Sequence, residues 1–399
     1  MLVQKYGGSS VATLERIANV ANRIKARVDT GEKIIVVVSA MGETTNKLIS
    51  VAKKISDDPD PRELDMLLAT GEQKSAALLS MMLLKMGVKA VSYNAFQLNI
   101  LTTDNHTDAR IMDMNLEKVK KELLDKDVIV VTGFQGITPE GNLTTLGRGG
   151  SDTSAVAIAA KLGTRCEIYS DVAGIYTTDP KFYSKAKKLE YITYDEMLEL
   201  AAQGSRVLHS RAVEIAKKYN VEVVCLSSFS DEGGTTIVNT LPEWLEQPVV
   251  TGVAMDSNQI KITINNIPNN VDLISGIFNA VAEARINIDM ISIVNDNSHT
   301  HITFTAVAGN PDRVEEVIKT VLKDEKGWKI TADTNVTKVS AIGVGMRSNS
   351  GVASRFFSAL QREGIRIIAT TTSEIKISVL VPKEESGRAL KALIDEFEL

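Results

Sequence analysis

Short apolar runs alternate with amphipathic stretches over the first 240 residues. Residues 34–38 (IIVVV) and 128–131 (VIVV) are β-branched and bounded by turn residues, which predicts strands buried on both faces. Residues 166–169 and 221–226 read the same way. Between them, apolar positions recur at helical spacing over 13–28, 64–86, 116–126, 154–162 and 211–219. Thr13 suits the N-cap of the first helix. Strands alternating with helices predict an α/β fold, an αβα sandwich around a mainly parallel sheet.

The pattern changes after residue 240. Residues 240–248 hold Pro242, Pro248, Trp244 and two acids, and read as a linker or a short capping helix. Beyond them the sequence repeats. Residues 275–289 (SGIFNAVAEARINID) align with 354–368 (SRFFSALQREGIRII) at an offset of 79, with Ser275/Ser354, Phe278/Phe357, Ala280/Ala359, Ile286/Ile365 and Ile288/Ile367 identical. That period is too long for a solenoid and suits a duplicated small domain. Each copy reads strand–helix–strand–strand–helix, over 261–322 and 337–397. A βαββαβ unit of this size is a ferredoxin-like sandwich. The second copy has no last strand after its helix, and 249–254 is a spare strand before the first. It is expected to fill that vacancy, so that the copies interleave. The expected organisation is a first, larger domain over 1–240, a linker over 241–248, and small domains over 249–335 and 336–399. The strand at 249–255 is assigned to the second of these.

Composition narrows the function classes. With 44% apolar and 24% charged residues the chain is not intrinsically disordered, and 26 Gly, 9 Pro and 2 Cys exclude collagen-like and disulfide-scaffold classes. No apolar run approaches the ~20 residues of a membrane span, and the first residues do not read as a signal peptide. Cys166 and Cys225 lie in strand-like runs, as reduced core thiols of a cytoplasmic protein would. A net charge of −5 argues against nucleic acid as a partner.

Four segments carry candidate chemistry. Lys5-Tyr6-Gly7-Gly8-Ser9-Ser10 follows a short strand and precedes the helix at 13–28. A glycine pair lets backbone approach a phosphate, a helix N-terminus offers amides, and Lys5 adds a point charge. The loop is neither GxxxxGK[ST] nor GxGxxG, and a tight turn without a ligand also fits it. Leu146-Gly147-Arg148-Gly149-Gly150-Ser151-Asp152 leads into another helix, and the Arg148 fork suits a carboxylate. A surface turn with an N-cap Asp is the alternative. Residues 170–181 place polar and aromatic groups at a strand's carboxyl end, where open α/β sheets bind ligands, although Asp179-Pro180 also reads as a turn. Glu72, amid Leu67, Leu68, Leu78 and Leu79, is either a buried paired acid or an ordinary exposed one. His299-Thr300-His301 reads as a solvated loop rather than a metal pair.

Taken together these motifs resemble the aspartokinases, monofunctional enzymes of the amino-acid-kinase fold with tandem ACT domains. KYGGSS at 5–10 is similar to the family's KFGGTS, and 38–42 to its VSAMG. Thr70-Gly71-Glu72 matches TGE, Gly133-Phe134 a GF turn, 146–152 LGRGGSD, 170–180 TDVxGIYTxDP, and 372–378 TSEIKIS. The resemblance implies that Lys5, Arg148 and Asp152 are catalytic. It implies that ATP is held by Lys5, Gly7, Gly8, Ser9, Ser170, Asp171, Tyr176, Asp179, Pro180, Lys181 and Arg206. Aspartate would be held by Ser39, Thr45, Glu72, Phe134, Arg148, Gly149, Gly150 and Ser151. An effector, lysine first and threonine second, would meet Asn287, Ile288, Asp289, Ser373 and Glu374. Mg²⁺ would accompany ATP without dedicated protein ligands, and the ACT pair would form a homodimer.

The chain departs from the family at Arg206, where Lys is usual, and at Lys181, where Arg is common. It has Asn270-Val271-Asp272 in place of a Pro-Gly turn, and Arg366 and Ile368 where the second copy usually carries Asn and an acid. These changes predict intact catalysis and lysine inhibition weaker than the family's. The implied reaction is phosphorylation of the aspartate side-chain carboxylate, opening lysine, threonine and methionine synthesis. The alternatives are another small-molecule kinase of the same fold and a catalytically inactive amino-acid sensor.

Overall fold

The computed structural model describes residues 1–203, 207–242, 248–296, 298–307 and 311–399. They form two compact units, Met1–Tyr176 with Lys187–Glu246, and Thr177–Ala186 with Gln247–Leu399.

In the first unit, strands Val223–Ser227, Cys166–Ser170, Leu2–Tyr6, Ile34–Val38, Val128–Thr132 and Ala90–Tyr93 lie side by side in that order, all parallel. Leu2 is in register with Ile34, and Ile34 with Val128. Every residue of the three strands Leu2–Tyr6, Ile34–Val38 and Val128–Thr132 is buried, as a sheet covered on both faces requires. Thr235–Val238 joins antiparallel to Val223–Ser227, and Tyr191–Thr193 closes that edge. Helices Leu14–Val28 and Thr70–Lys85 supply Ile17, Val20, Ile24, Leu79 and Leu83 to one core, against Tyr6, Val36 and Val130. Thr13 caps the first of them, accepting from the Arg16 N–H at 3.2 Å.

The apolar stretch at 64–86 is two helices, Pro61–Leu68 and Thr70–Lys85, with the break at Ala69. Asp60 caps the first and Pro61 opens it, a start signal that apolar spacing alone does not reveal. A small sheet of Ile111–Met114, Ile100–Thr102, Gln135–Ile137 and Leu143–Thr145 lies outside the sequence expectation. Its strands of three or four residues are too short to show a period.

The second unit holds one six-stranded sheet, ordered Ile288–Asn295, His299–Val307, Gly252–Pro268, Lys329–Ile342, Lys376–Pro382 and Ala369–Thr372. The spare strand is the first third of Gly252–Pro268, a strand of 17 residues. Its Gly252–Asp256 portion pairs with Lys338–Ile342 of the second copy, while Gln259–Asn265 pairs with His299–Val307 and with the front of Lys329–Ile342. Each copy therefore completes its four strands with a piece of a strand it shares with the other. Helices Val271–Glu283 and Pro311–Val321 cover a core of Ile260, Ile262, Ile264 and Phe304; Val352–Arg362 and Ser386–Phe397 cover one of Val253, Val339, Val379 and Val381. His299 and His301 stand on a strand rather than in a loop, and His301 Nδ1 lies 3.1 Å from Asn265 Oδ1. Thr177–Ala186 packs with this unit, through the Val253 N–H to Thr177 O bond and Tyr183 against the second core.

Candidate active site

Lys5 is the fourth residue of Leu2–Tyr6, and strand alternation sends its side chain to the face opposite Tyr6. There it meets Asp152, the third residue of helix Gly150–Leu162. Nζ lies 2.6 Å from Oδ1, and each side chain is only 11% exposed. The acid in the helix's first turn complements its dipole. Removing one partner from such a pair costs about 3–5 kcal/mol, because the other charge is left buried alone.

Arg148 sits between Gly147 (φ +73°) and Gly149 (φ +66°), both left-handed, a conformation that a Cβ would strain. The side chain is exposed and has no protein partner among the described residues. Phe134 also has positive φ (+71°), and its N–H is held by Ser154 Oγ at 3.1 Å. Strain of that kind at a non-glycine residue concentrates at functional sites.

Glu72 resolves to the buried alternative, 3% exposed in the first turn of Thr70–Lys85. Oε1 accepts from the Ala40 N–H at 2.9 Å; Oε2 is buried with no partner among the described residues. Burial pushes the carboxyl up to about 7, against the pull of the Ala40 N–H.

These groups face one cleft of about 340 Å³. Lys5, Gly8 and Asp152 line it, with Ser39, Thr45, Glu72 and Phe134, and with Arg148, Gly149, Gly150 and Ser151. It thus gathers all eight residues assigned to the acceptor and all three assigned to catalysis. Ala40, Gly42 and Gly147 line it as well. They lie inside the same motifs, but alanine and glycine bring no polar side chain to a cleft, so side-chain chemistry gives no sign of them. An ammonium, an unpaired guanidinium, a carboxylate oxygen without a partner and a helix N-terminus converge in one cleft. That set can hold a zwitterion beside a phosphate.

The amino acid kinase family model matches residues 1–227 and an ACT domain model matches 339–397. An aspartate kinase of Stutzerimonas stutzeri is 46% identical over all of this chain and 97% of its own. The chain belongs to the aspartate kinase family. Among solved structures of that family, aspartate kinase from Synechocystis is 40% identical, with a TM-score of 0.56, over the whole chain and 70% of its own. E. coli aspartokinase III in complex with aspartate and ADP is 23% identical with a TM-score of 0.82, covering both chains entirely, and shares the fold.

The aspartate kinase residues expected at the nucleotide are spread more widely. Gly7 and Ser9 lie on the loop after Leu2–Tyr6; the Gly7 N–H bonds Tyr169 O at 3.2 Å and Ser9 O accepts from Arg16. Ser170 ends the neighbouring strand, and its carbonyl accepts from Ser228 Oγ, which also bonds Ser10 Oγ at 2.8 Å. Exposed Asp171 and partly buried Tyr176 follow in the first unit. Asp179, Pro180 and Lys181 belong to the second, where Asp179 Oδ1 accepts from the Lys181 N–H at 2.8 Å. Arg206 lies outside the described residues.

The residues expected at the effector divide into two places. Asn287 is exposed, and Ile288 and Asp289 open a strand. Asp289 Oδ2 lies 2.5 Å from Lys338 Nζ, whose side chain is 3% exposed, and that ammonium holds the carboxyl below its usual range despite partial burial. Ser373 and Glu374 instead line a cleft of about 620 Å³ with Arg347 and Val352, and Glu374 pairs with Arg347 at 3.1 Å. Asn270 caps the first copy's helix through the Asp272 N–H, leaving the Asp272 side chain exposed.

Proposed function

We propose that the chain transfers the γ-phosphoryl group of ATP to the side-chain carboxylate of L-aspartate, giving 4-phospho-L-aspartate and ADP. One observation carries the reading: the cleft brings together a cation suited to a carboxylate, a carboxylate suited to an ammonium and a second cation suited to a phosphoryl group. Arg148 takes a carboxylate of aspartate. Glu72 Oε2 takes its ammonium, which neutralises a carboxylate that burial otherwise disfavours. Lys5 and the N-terminus of Gly150–Leu162 receive the transferred group, and Asp152 fixes the Lys5 ammonium.

A carboxylate with a pKa of ~4 is ionised at neutral pH, so no general base is needed. Its oxygen attacks the γ-phosphorus, the bond to the β–γ bridging oxygen breaks, and the electrons leave with ADP. The barrier lies in bringing two anions together, which positioning and preorganised positive charge lower. Among the described residues no group of three His, Cys, Asp or Glu forms a metal cage. Mg²⁺ would accompany ATP on its phosphates rather than on dedicated protein ligands. When bound, the ion neutralises phosphate charge. Gly7, Gly8, Ser9, Ser170, Asp171, Tyr176, Asp179, Pro180, Lys181 and Arg206 are assigned to the nucleotide, and 1–240 to the catalytic domain.

The reading extends to a cytoplasmic enzyme at the head of lysine, threonine and methionine synthesis; no described helix is long and apolar enough to cross a membrane. Domains over 249–335 and 336–399 would join two copies of the chain and take lysine, with threonine second. The deciding experiment traps the acyl phosphate with hydroxylamine, offering aspartate, glutamate, a nucleoside monophosphate and carbamate in turn. Hydroxamate with aspartate alone is expected. Turnover of another acceptor at a higher kcat/KM would replace the assignment.

A further inference from the structure

The loop that carries Arg148 is held from behind by groups outside the cleft. A Cβ on Gly147 would lie 3.1 Å from both Asp108 Oδ1 and Thr107 O, so the loop rests directly on the turn at 105–108. That turn is itself unusual, with Thr107 at φ +67°. Asp65, on helix Pro61–Leu68 and fully buried, pins it. Its carboxylate meets His106 Nδ1 at 2.7 Å, accepts from the Thr107 N–H at 3.0 Å, and accepts from Thr145 Oγ1 at 2.5 Å. Thr145 ends the strand that runs into Leu146 and Gly147.

Arg211, on helix Ser210–Tyr219, closes the other side. Nη1 donates to Leu146 O at 2.6 Å and to Asp108 Oδ1 at 3.2 Å; Nη2 donates to Ala109 O at 2.8 Å. Its side chain is 16% exposed. The planar fork therefore ties the carbonyl just before Gly147 to the turn beneath it from two nitrogens at once, a spacing that the single nitrogen of an ammonium does not reproduce. Arg148 has no hydrogen-bond or ion-pair partner among the described residues, so the place from which its guanidinium reaches the cleft depends on the loop backbone.

We propose that Asp65 and Arg211 are positioning residues for the acceptor, acting through Arg148. A buried carboxylate and a partly buried guanidinium clamp the Gly147-Arg148-Gly149 loop between two helices. The proposal rests on Arg148 reading the aspartate carboxylate. A misplacement of about 1 Å at such a group costs up to about 100-fold.

The test is a double-mutant cycle with Arg211→Lys and Arg148→Ala, read as KM for aspartate, KM for ATP and kcat. Arg211→Lys is expected to raise the KM for aspartate about tenfold or more and to leave that for ATP within about twofold. In an Arg148→Ala background the same change should move the aspartate KM by less than about twofold, because the group it positions is gone. Additive effects, or equal rises for both substrates, would overturn the clamp and leave Arg211 as ordinary scaffold. If Arg148→Ala alone leaves the aspartate KM unchanged, the reading of Arg148 fails first, and the clamp with it. Should Arg211→Lys not fold, Thr145→Val removes one donor to Asp65 and is expected to give a smaller rise with the same selectivity and the same non-additivity.

Discussion

The two units use charge in opposite ways. In the first, the cleft leaves charges open: Arg148 has no described partner, and Glu72 keeps one oxygen buried and unpaired. In the second, the comparable charges already have partners within the chain. Asp289 is held by Lys338 and Glu374 by Arg347. Leaving a buried oxygen unpartnered costs about 1–3 kcal/mol, a cost that a ligand can recover. A charge that already has an internal partner offers a ligand much less. The contrast supports the proposal that the chemistry lies in the first unit and that the second takes charged effectors weakly.

The largest expected effect comes from Lys5→Ala. Losing the ammonium aimed at the transferred group should lower kcat by about 10²–10³, with circular dichroism unchanged. A variant with near-normal kcat would remove Lys5 from the chemistry and leave the pair with Asp152 structural.

Glu72→Gln should raise the KM for aspartate about 10- to 100-fold, the worth of a charge-assisted hydrogen bond to the ammonium. It also has a stability signature. The folded-state value near 7 lies above the ordinary 4.5, so the folded protein holds the extra proton between those values. Stability contributed by that proton is present at low pH and is lost as pH rises through about 7, by up to about 3 kcal/mol. Urea titrations from pH 5 to 8 should show this slope in the unmodified protein and lose it in the variant. The same slope in both would place the titration elsewhere.

Much of this was legible beforehand. The β-branched runs at 34–38 and 128–131 are strands because a sheet covered on both sides needs continuous apolar sequence. The spare strand was legible from the arithmetic of the repeat. Glu72 was ambiguous because helical spacing does not say which side Ala40 approaches from. Asp65 is not legible as a site residue in the sequence. It stands beside Leu64, Met66, Leu67 and Leu68, an acid in an apolar run, and that was its only signal. Its partners His106, Thr107 and Thr145 come from distant polar stretches that only the fold brings together.

Arg148→Lys gives a smaller change than Glu72→Gln. It keeps the charge and loses the fork, so the KM for aspartate should rise about tenfold and that for ATP little. The reverse order would assign Arg148 to the nucleotide. The smallest effect sharpens the contrast from the other side. Lysine should bind weakly to the unmodified protein, and Lys338→Met, by freeing a half-exposed Asp289, should tighten binding about two- to fivefold in calorimetry. Tight binding that Lys338→Met leaves unchanged would show that Asp289 takes no part in effector capture.

The strand Gly252–Pro268 has a consequence for how the molecule comes apart. Two separate apolar cores would ordinarily melt as two events. Here both are roofed by a sheet whose central strands, Gly252–Pro268 and Lys329–Ile342, run through each of them. Each core takes a different segment of these two strands, so an opening that starts in one core runs along continuous backbone into the ladder of the other. The tandem pair is in that sense two interiors strung on the same two strands, and a single cooperative unfolding transition is expected for it.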